Sequence, residues 1–245
     1  MRLLVLLALV LVARPADAAT CRSETYAGNK YSICEVDLTQ ENLQLFLKDE
    51  DGQIYGHFGN IEAALTANGQ HLGFAMNAGM FHEDRAPVGH YVENGQEVQR
   101  VISSDGPGNF GLLPNGVLCL RDGRADVFET KAFLRDKPPC VSATQSGPML
   151  VIDGALHPKF LKDGTSRYIR NGVGTTADGT RAVFAISDNT VNFYDFGVLF
   201  RDHLKMPNAL YFDGNVSRLR APELGRDDAG FSALGPIIGV VEPAR

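Results

Sequence analysis

The chain has 245 residues, of which 44% are hydrophobic and 21% are charged, a composition typical of a folded globular protein rather than a disordered or fibrous one. Its formal net charge of -6 argues against nucleic-acid binding, because a phosphate backbone selects for clustered lysine and arginine. Beyond residue 18, no apolar run approaches the roughly 20 residues that a membrane-spanning helix needs, which excludes an integral membrane protein.

The first 18 residues have the pattern of a cleavable signal peptide. Arg2 supplies a positive charge, Leu3 to Val12 is continuously apolar, and Ala16-Asp17-Ala18 has the small-x-small form that signal peptidase cuts. We therefore predict cleavage after Ala18, one domain over residues 19–245, and a periplasmic or secreted location.

Export makes disulfide bonds the default state of the four cysteines, because an exported chain meets an oxidising compartment. Four cysteines allow three pairings, which sequence alone does not separate. We favour the two local pairs, Cys21 with Cys34 and Cys119 with Cys140, and interpret them as structural staples rather than as a chemical site.

The first elements of the mature chain are two strands and a helix. Alternating apolar and polar residues predict strands over Tyr31–Val36 and Gln44–Leu47. The helical spacing of Ile61, Ala64 and Leu65 predicts a helix that has Asn60 as its N-cap and ends at Asn68-Gly69.

Two Asn-Gly dipeptides predict tight hairpins further along the chain. Asn94-Gly95 lies between Tyr91-Val92 and Val98–Ile102, and Asn115-Gly116 lies in a similar apolar context. Such hairpins favour antiparallel pairing.

The remaining pattern is dominated by buried strands. Phe193, Phe196, Phe200 and Leu204 recur at helical spacing, so they predict a helix that ends before Pro207. Continuous apolar runs predict buried strands at Leu72–Met76, Met149–Ile152, Ala182–Ile186, Ala209–Phe212 and Ile237–Val241. The resulting fold class is α+β, a single domain with a mixed or antiparallel strand-rich sheet and a few packing helices.

Polar residues follow several of these strands, at the positions where binding sites are usually built. A carboxylate such as Asp213, at the end of an apolar strand, either lines a cleft or belongs to a plain Asp-Gly turn. Arg170 either caps a strand edge or clamps a carboxylate or phosphate. Asn77 is either a turn residue or an amide donor to a sugar hydroxyl, and Ser146 is better explained as a turn residue than as a nucleophile because no base accompanies it.

Widespread catalytic signatures are absent from the sequence. There is no Gly-x-Ser-x-Gly elbow, no Walker loop, no His-Glu-x-x-His and no dinucleotide fingerprint. The six histidines lack the spacing of metal ligands, so we predict neither a metal nor a cofactor.

Six short segments, taken in order, resemble the phosphodiester glycosidase family over about residues 70 to 241. The segments are Met76–Phe81, Pro87–Gly89, Asn109–Gly111, Ser146–Leu150, Arg170–Gly174 and Leu210–Ser217. The chain departs from the family pattern at Asn215, where the family usually has glycine, at Asn189, where it also has glycine, and at His90. These departures bear on substrate choice more than on the existence of a site.

The resemblance implies an exported bacterial hydrolase that cuts the bond between a sugar anomeric carbon and a phosphodiester, releasing the sugar and a phosphate monoester. Its substrate would be a sugar phosphate or a phosphorylated glycan. Asp213 would be the nucleophile or the base that activates water, and Arg170 would bind the phosphate. The residues implied to bind substrate are Asn77, Gly79, Ser146, Gly147, Asp188, Gly214 and Ser217.

Two other functions fit the same residues. One is a non-catalytic module that binds glycans or cell-wall polymers. The other is a metal-dependent phosphodiesterase in which Asp188 and Asp213 supply oxygen ligands to a hard cation.

Overall fold

The computed structural model describes residues 19–244, so the predicted signal peptide lies outside the described residues. In this range the chain forms three sheets, and every strand pairing is antiparallel. The structure confirms a strand-rich α+β fold. No helix among the described residues is long and apolar enough to cross a membrane.

Seventeen strands and three α-helices make up the described fold. The first strands are β1 Thr20–Tyr26, β2 Asn29–Asp37, β3 Asn42–Phe46, β4 Gln70–Asn77, β5 Tyr91–Glu93, β6 Gln96–Gln99, β7 Gly116–Arg121, β8 Arg124–Glu129 and β9 Ser142–Ser146. The later strands are β10 Met149–Ile152, β11 Ala155–Leu156, β12 Asn171–Thr175, β13 Arg181–Ser187, β14 Asn208–Asp213, β15 Leu219–Ala221, β16 Arg226–Asp227 and β17 Ile237–Pro243. The helices are α1 Phe58–Ala67, α2 Thr130–Asp136 and α3 Phe193–Val198, and α3 continues into a π-helical turn, Leu199–His203; a 3-10 turn covers Pro222–Leu224.

The three sheets differ in size and strand order. The central sheet has seven strands in the order β1-β2-β13-β12-β14-β10-β11. The second has the order β16-β15-β4-β17-β3, and the third has the order β6-β5-β9-β7-β8.

A shared apolar core fixes these sheets relative to one another. Phe74 of β4, Leu118 of β7 and Phe184 of β13 belong to one buried cluster, in which the rings of Phe74 and Phe184 lie 4.9 Å apart. Burying a side chain of this size contributes about 2–3 kcal/mol. A second cluster packs Phe196 and Phe200 of the third helix and its extension against the other face of the central sheet. The strand ends therefore have fixed relative positions.

Both disulfide predictions are confirmed. Cys21 and Cys34 face each other across β1 and β2, with their Cα atoms 4.1 Å apart. Cys119 of β7 pairs with Cys140, which follows α2 in the chain.

The two Asn-Gly predictions have opposite outcomes. Asn94 and Gly95 both have positive φ and join β5 to β6, as a tight hairpin requires. The hairpin prediction at Asn115-Gly116 is wrong, because Gly116 begins β7 and Asn115 is fully buried, where its Oδ1 accepts a hydrogen bond from Thr130 Oγ1 at 2.7 Å.

The helix predictions hold with one change at an N-terminus. The first helix has His57 rather than Asn60 as its N-cap; Asn60 lies in the first turn and donates from Nδ2 to the carbonyl of Tyr55 at 2.6 Å. Asn68-Gly69 ends that helix as predicted. Asn192 caps the phenylalanine-rich helix by accepting from the N–H of Asp195.

Candidate active site

Four strand ends from the three sheets meet in one region. β4 ends at Asn77, β9 at Ser146 and β14 at Asp213, while β12 begins at Asn171. The antiparallel pairing of β12 with β14 places Asn171 opposite Asp213, and the neighbouring pairing of β17 with β4 ends at Asn77. Residues far apart in the chain are therefore brought together by strand register.

A buried pair of asparagines links these strand ends. Asn171 donates from Nδ2 to the Asn77 carbonyl at 2.9 Å and to its Oδ1 at 3.0 Å. The Asn171 Oδ1 accepts the backbone N–H of Asp213 at 3.1 Å, and the Asn77 Oδ1 accepts that of Arg218 at 2.9 Å. Because both amides are fully buried, the loss of either would leave donors and acceptors unpaired.

The carboxylate of Asp213 lies just beyond this pair. Asp213 is only 8% exposed, and its Oδ1 accepts the backbone N–H groups of Gly214 at 2.6 Å and Asn215 at 2.8 Å. Burial raises the pKa of Asp213 above its ordinary value, and the N–H donors of Asn215 and Gly214 oppose that rise. The result is a desolvated carboxyl group held in one orientation.

Two predicted serines brace the backbone around Asp213. Ser146 donates from Oγ to the carbonyl of Phe212 at 2.9 Å, and Ser217 donates to the carbonyl of Asp213 at 2.9 Å. Gly79 and Gly147 allow close packing beside them: a Cβ on Gly79 would lie 3.1 Å from the Oγ1 of Thr144, and one on Gly147 would lie 2.6 Å from the Cβ of Asn115.

Gly214 and Arg170 lie on either side of one buried tyrosine. A Cβ on Gly214 would lie 2.2 Å from the hydroxyl of Tyr211. The Arg170 guanidinium is fully buried, with its carbon 5.3 Å from the Tyr211 ring centroid and 3.6 Å from that of Phe193. Its Nε donates to the Val191 carbonyl at 3.0 Å, and burial lowers its pKa. The structure thus places Arg170 against Tyr211, two residues before Asp213.

Asp188 occupies a different environment from Asp213. Its Oδ1 accepts from Nη1 of Arg226 at 2.5 Å and from Oγ of Ser32 at 3.2 Å, and its side chain is 30% exposed. The structure therefore places Asp188 in an ion pair. Within residues 19–244, no group of three or more His, Cys, Asp or Glu side chains is arranged to hold a metal ion.

Asp213 lines a cleft of about 550 Å³. That volume is within the range of small-ligand sites. Two further clefts, of about 470 and 770 Å³, have linings that do not include Asp213. Sequence reasoning missed several lining residues, namely His82, Glu83, Arg85, Asn109, Val216 and Ser232.

Asn171 was also missed as a site residue. The signal available for it was an amide placed directly before the apolar strand at Gly172–Thr175. For the lining residues, the signal was the charged tetrapeptide 82–85, which follows the Met76–Phe81 segment immediately. Both signals become informative only when the strand ends are known to converge.

Together, these features define a strand-rich α+β domain with a buried carboxylate on the wall of a ligand-sized cleft. The chain belongs to the phosphodiester glycosidase family, whose model matches residues 70–224. A relative, the uncharacterized protein YigE of Escherichia coli K12, is 33% identical over 216 residues, which are 88% of this chain and 83% of YigE.

Solved structures share the fold at low sequence identity. One is the catalytic domain of zebrafish N-acetylglucosamine-1-phosphodiester alpha-N-acetylglucosaminidase, auto-inhibited by its pro-peptide, with a TM-score of 0.62, 14% identity, and coverage of 90% of this chain and 81% of that one. Another, from Burkholderia pseudomallei K96243 and described as exported, has a TM-score of 0.56 at 12% identity, covering 86% of this chain and 74% of that one.

Proposed function

We propose that the protein is an exported glycosidase that hydrolyses the bond between a sugar anomeric carbon and the oxygen of a phosphodiester. The observation that carries this proposal is Asp213, the one buried carboxylate among residues 19–244, on the wall of the cleft. Membership of the phosphodiester glycosidase family supports the reaction class. The two disulfides fit a periplasmic or secreted location.

One carboxylate suffices for this reaction on chemical grounds. Cleavage of an anomeric C–O bond passes through an oxocarbenium-like transition state, which a nearby carboxylate stabilises. The leaving group is a phosphate monoester with a second pKa near 6, so it departs with little or no protonation. A second carboxylic acid, which ordinary glycosidases use to protonate the leaving oxygen, is therefore not required.

The atoms balance in a simple hydrolysis. Water supplies the oxygen that bonds to the anomeric carbon, the bond from that carbon to the phosphate oxygen breaks, and its electron pair leaves with the phosphate monoester. As a base, Asp213 takes the proton from water, whereas as a nucleophile it first forms a glycosyl ester that water then hydrolyses. The first route inverts the anomeric configuration and the second retains it, so the configuration of the released sugar distinguishes the two.

The other predicted residues support this geometry in different ways. Asn77, Ser146 and Ser217 hold the backbone that carries Asp213, in addition to any contact that they make with the sugar, and Gly147 allows the close approach of Asn115 beside Ser146. We propose a positioning role for Arg170, because its buried guanidinium packs against Tyr211, two residues before Asp213.

The test is release of sugar and phosphate monoester from a panel of glycosyl-1-phosphodiesters by the mature protein. Asp213→Asn should abolish turnover and leave the fold intact, because an asparagine oxygen still accepts the N–H groups of Gly214 and Asn215. The matched control is Asp153→Asn, an exposed aspartate in a second Asp-Gly turn, which should retain full activity.

Three results would contradict the proposal. Full activity in a folded Asp213→Asn variant would remove Asp213 from the chemistry. Loss of wild-type activity on chelation would favour a metal-dependent phosphodiesterase. Saturable glycan binding without turnover of any donor would favour a binding module.

A further inference from the structure

The charged loop after Phe81 carries an arginine that has no acidic partner in the part of the chain that the structure describes. Arg85 lines the same cleft as Asp213. Among residues 19–244, its side chain makes no ion pair or hydrogen bond, and its one recorded contact is with the ring of Phe81, 5.5 Å from the guanidinium carbon to the ring centroid. Asp213 and Glu83 line the cleft too, but neither forms an ion pair with Arg85, so its guanidinium is available to an anionic ligand.

The backbone around Arg85 is held firmly by its neighbours. The N–H of Arg85 donates to the His82 carbonyl at 2.9 Å, and Asp84 Oδ1 accepts the N–H of Ala86 at 3.0 Å. Arg85 itself has a φ of 71°, a left-handed conformation that costs a non-glycine residue free energy unless the surroundings fix it. The loop over residues 82–86 is therefore a fixed part of the cleft wall.

Close packing behind the loop reinforces its position. A Cβ on Gly235 would lie 2.8 Å from the Arg85 carbonyl oxygen and 2.5 Å from the Phe81 Cβ, so only glycine fits there. The Phe81 ring lies beneath the guanidinium and orients it by a cation–π contact. The backbone of Arg85 is thus fixed, and its guanidinium lies over the Phe81 ring.

Arg170, the other arginine considered for phosphate binding, lacks this access. It is fully buried, its Nε and Nη2 donate to the carbonyls of Val191 and Ser166, and Phe193 covers the guanidinium face. Arg85 lines the cleft, whereas Arg170 is not among its lining residues.

We propose that Arg85 binds the phosphate oxygens of the substrate, so that the enzyme selects glycosyl phosphodiesters over uncharged glycosides. This inference rests on the proposed function. In the reaction the phosphate passes from one negative charge to two, and a forked cation that is already in place stabilises the charge that develops. Arg85 therefore contributes both to substrate binding and to departure of the phosphate.

The test compares Arg85→Gln, Arg85→Lys and the wild type on a cleavable glycosyl phosphodiester. The glutamine variant should lose about 100-fold in kcat/KM, and lysine should restore part of the loss because it keeps the charge but not the fork. Inhibition by inorganic phosphate should weaken in the same order. Arg100→Gln is the matched control, an exposed arginine outside this cleft, and it should behave as the wild type.

Direct binding of inorganic phosphate, measured by calorimetry, separates this inference from the proposed function. Weaker phosphate binding in a folded Arg85→Gln variant supports the assignment even if no tested donor is cleaved. Unchanged phosphate binding and unchanged kcat/KM in that variant would overturn it while the glycosidase proposal stands. Melting temperatures identify any variant that fails to fold. If Arg85→Gln fails to fold, the comparison of Arg85→Lys with the wild type is the test.

Discussion

Two Asp-Gly dipeptides of the central sheet, Asp153-Gly154 and Asp213-Gly214, lie at opposite ends of neighbouring antiparallel strands and have different environments. Asp153-Gly154 follows β10 and forms an exposed turn in which both residues have positive φ. Asp213-Gly214 follows β14, which pairs antiparallel with β10, and its aspartate is buried at the cleft. The same local sequence is a solvated turn at one end of the sheet and a candidate catalytic group at the other.

The two aspartates differ because other strands place different side chains next to them. At the Asp213 end, β4, β9 and β12 contribute Asn77, Ser146 and Asn171, whose side chains bond to one another or to the backbone around Asp213. At the Asp153 end, the recorded side-chain bond to the turn backbone comes from Asn208. Asp213 therefore differs from Asp153 in the buried amide and hydroxyl groups that bond to the backbone around it.

The largest expected effect comes from removing the amide that organises the Asp213 end. Asn171→Ala leaves the N–H of Asp213 without its acceptor and removes the donor to the Asn77 carbonyl and Oδ1, and should lower the free energy of unfolding by about 2–4 kcal/mol. Displacement of Asp213 should lower kcat by about 100-fold. Denaturant titration and turnover measure the two effects.

A control for this variant exists at the other end of the same strand. Thr175 ends β12, and its Oγ1 accepts the N–H of Val127 at 3.1 Å. Thr175→Val removes one buried acceptor and should cost about 1–3 kcal/mol of stability with little change in kcat. Equal losses of kcat in the two variants would show that general destabilisation, rather than the position of Asp213, limits the rate.

A smaller effect on kcat or stability is expected from replacing the glycine of either Asp-Gly dipeptide, Gly214 or Gly154, with alanine. Gly214→Ala would place a Cβ 2.2 Å from the Tyr211 hydroxyl, so the loop that carries Asp213 must move and kcat should fall by about tenfold. Gly154→Ala has open space around it but a φ of 81°, so it should cost about 1 kcal/mol of stability and leave kcat unchanged. A Gly214→Ala variant with wild-type kcat would show that the loop position is not critical.

The sequence predicts these two ends of the sheet unequally, for a physical reason. An apolar strand that stops abruptly at a carboxylate made Asp213 a candidate, and the family resemblance gave it a catalytic role. Asn94-Gly95 was predicted because positive φ at two residues is a local requirement. Asn115-Gly116 gave the same local signal and was wrong, because Thr130 binds the asparagine side chain and buries it. Turn chemistry is therefore predictable only where no tertiary partner competes for the side chain.

The parts of the site that were missed depend on contacts distant in the chain. Asn171 acts through Asn77, 94 residues away, and Asp213, 42 residues away. Arg85 becomes noticeable only when its loop is seen beside Asp213 and without an acidic partner among the described residues. No spacing rule within one segment contains that information, because it is created by the strand register of three separate sheets.

The smallest expected effect is a pH-dependent difference in stability between the two aspartates. The pKa of Asp213 is raised from its ordinary value of 3.8, chiefly by burial. Between that value and the raised one, the folded state holds more protons than the unfolded state, so this group's contribution to stability falls as pH rises and then levels off. Asp213→Asn removes the ionisable group, and its stability relative to the wild type should therefore increase over the same range.

Urea unfolding of the wild type, Asp213→Asn and Asp153→Asn from about pH 2 to about pH 8 measures this difference, because the range must begin below the unfolded-state pKa. The Asp153→Asn variant should follow the wild-type curve, because that side chain is exposed. For Asp213→Asn, the rise in relative stability between its low-pH value and its plateau, divided by about 1.4 kcal/mol per pH unit, gives the pKa shift of the buried carboxyl. A relative stability that falls with rising pH would mean a lowered pKa, and hence that the N–H groups of Gly214 and Asn215 outweigh burial at this end of the sheet.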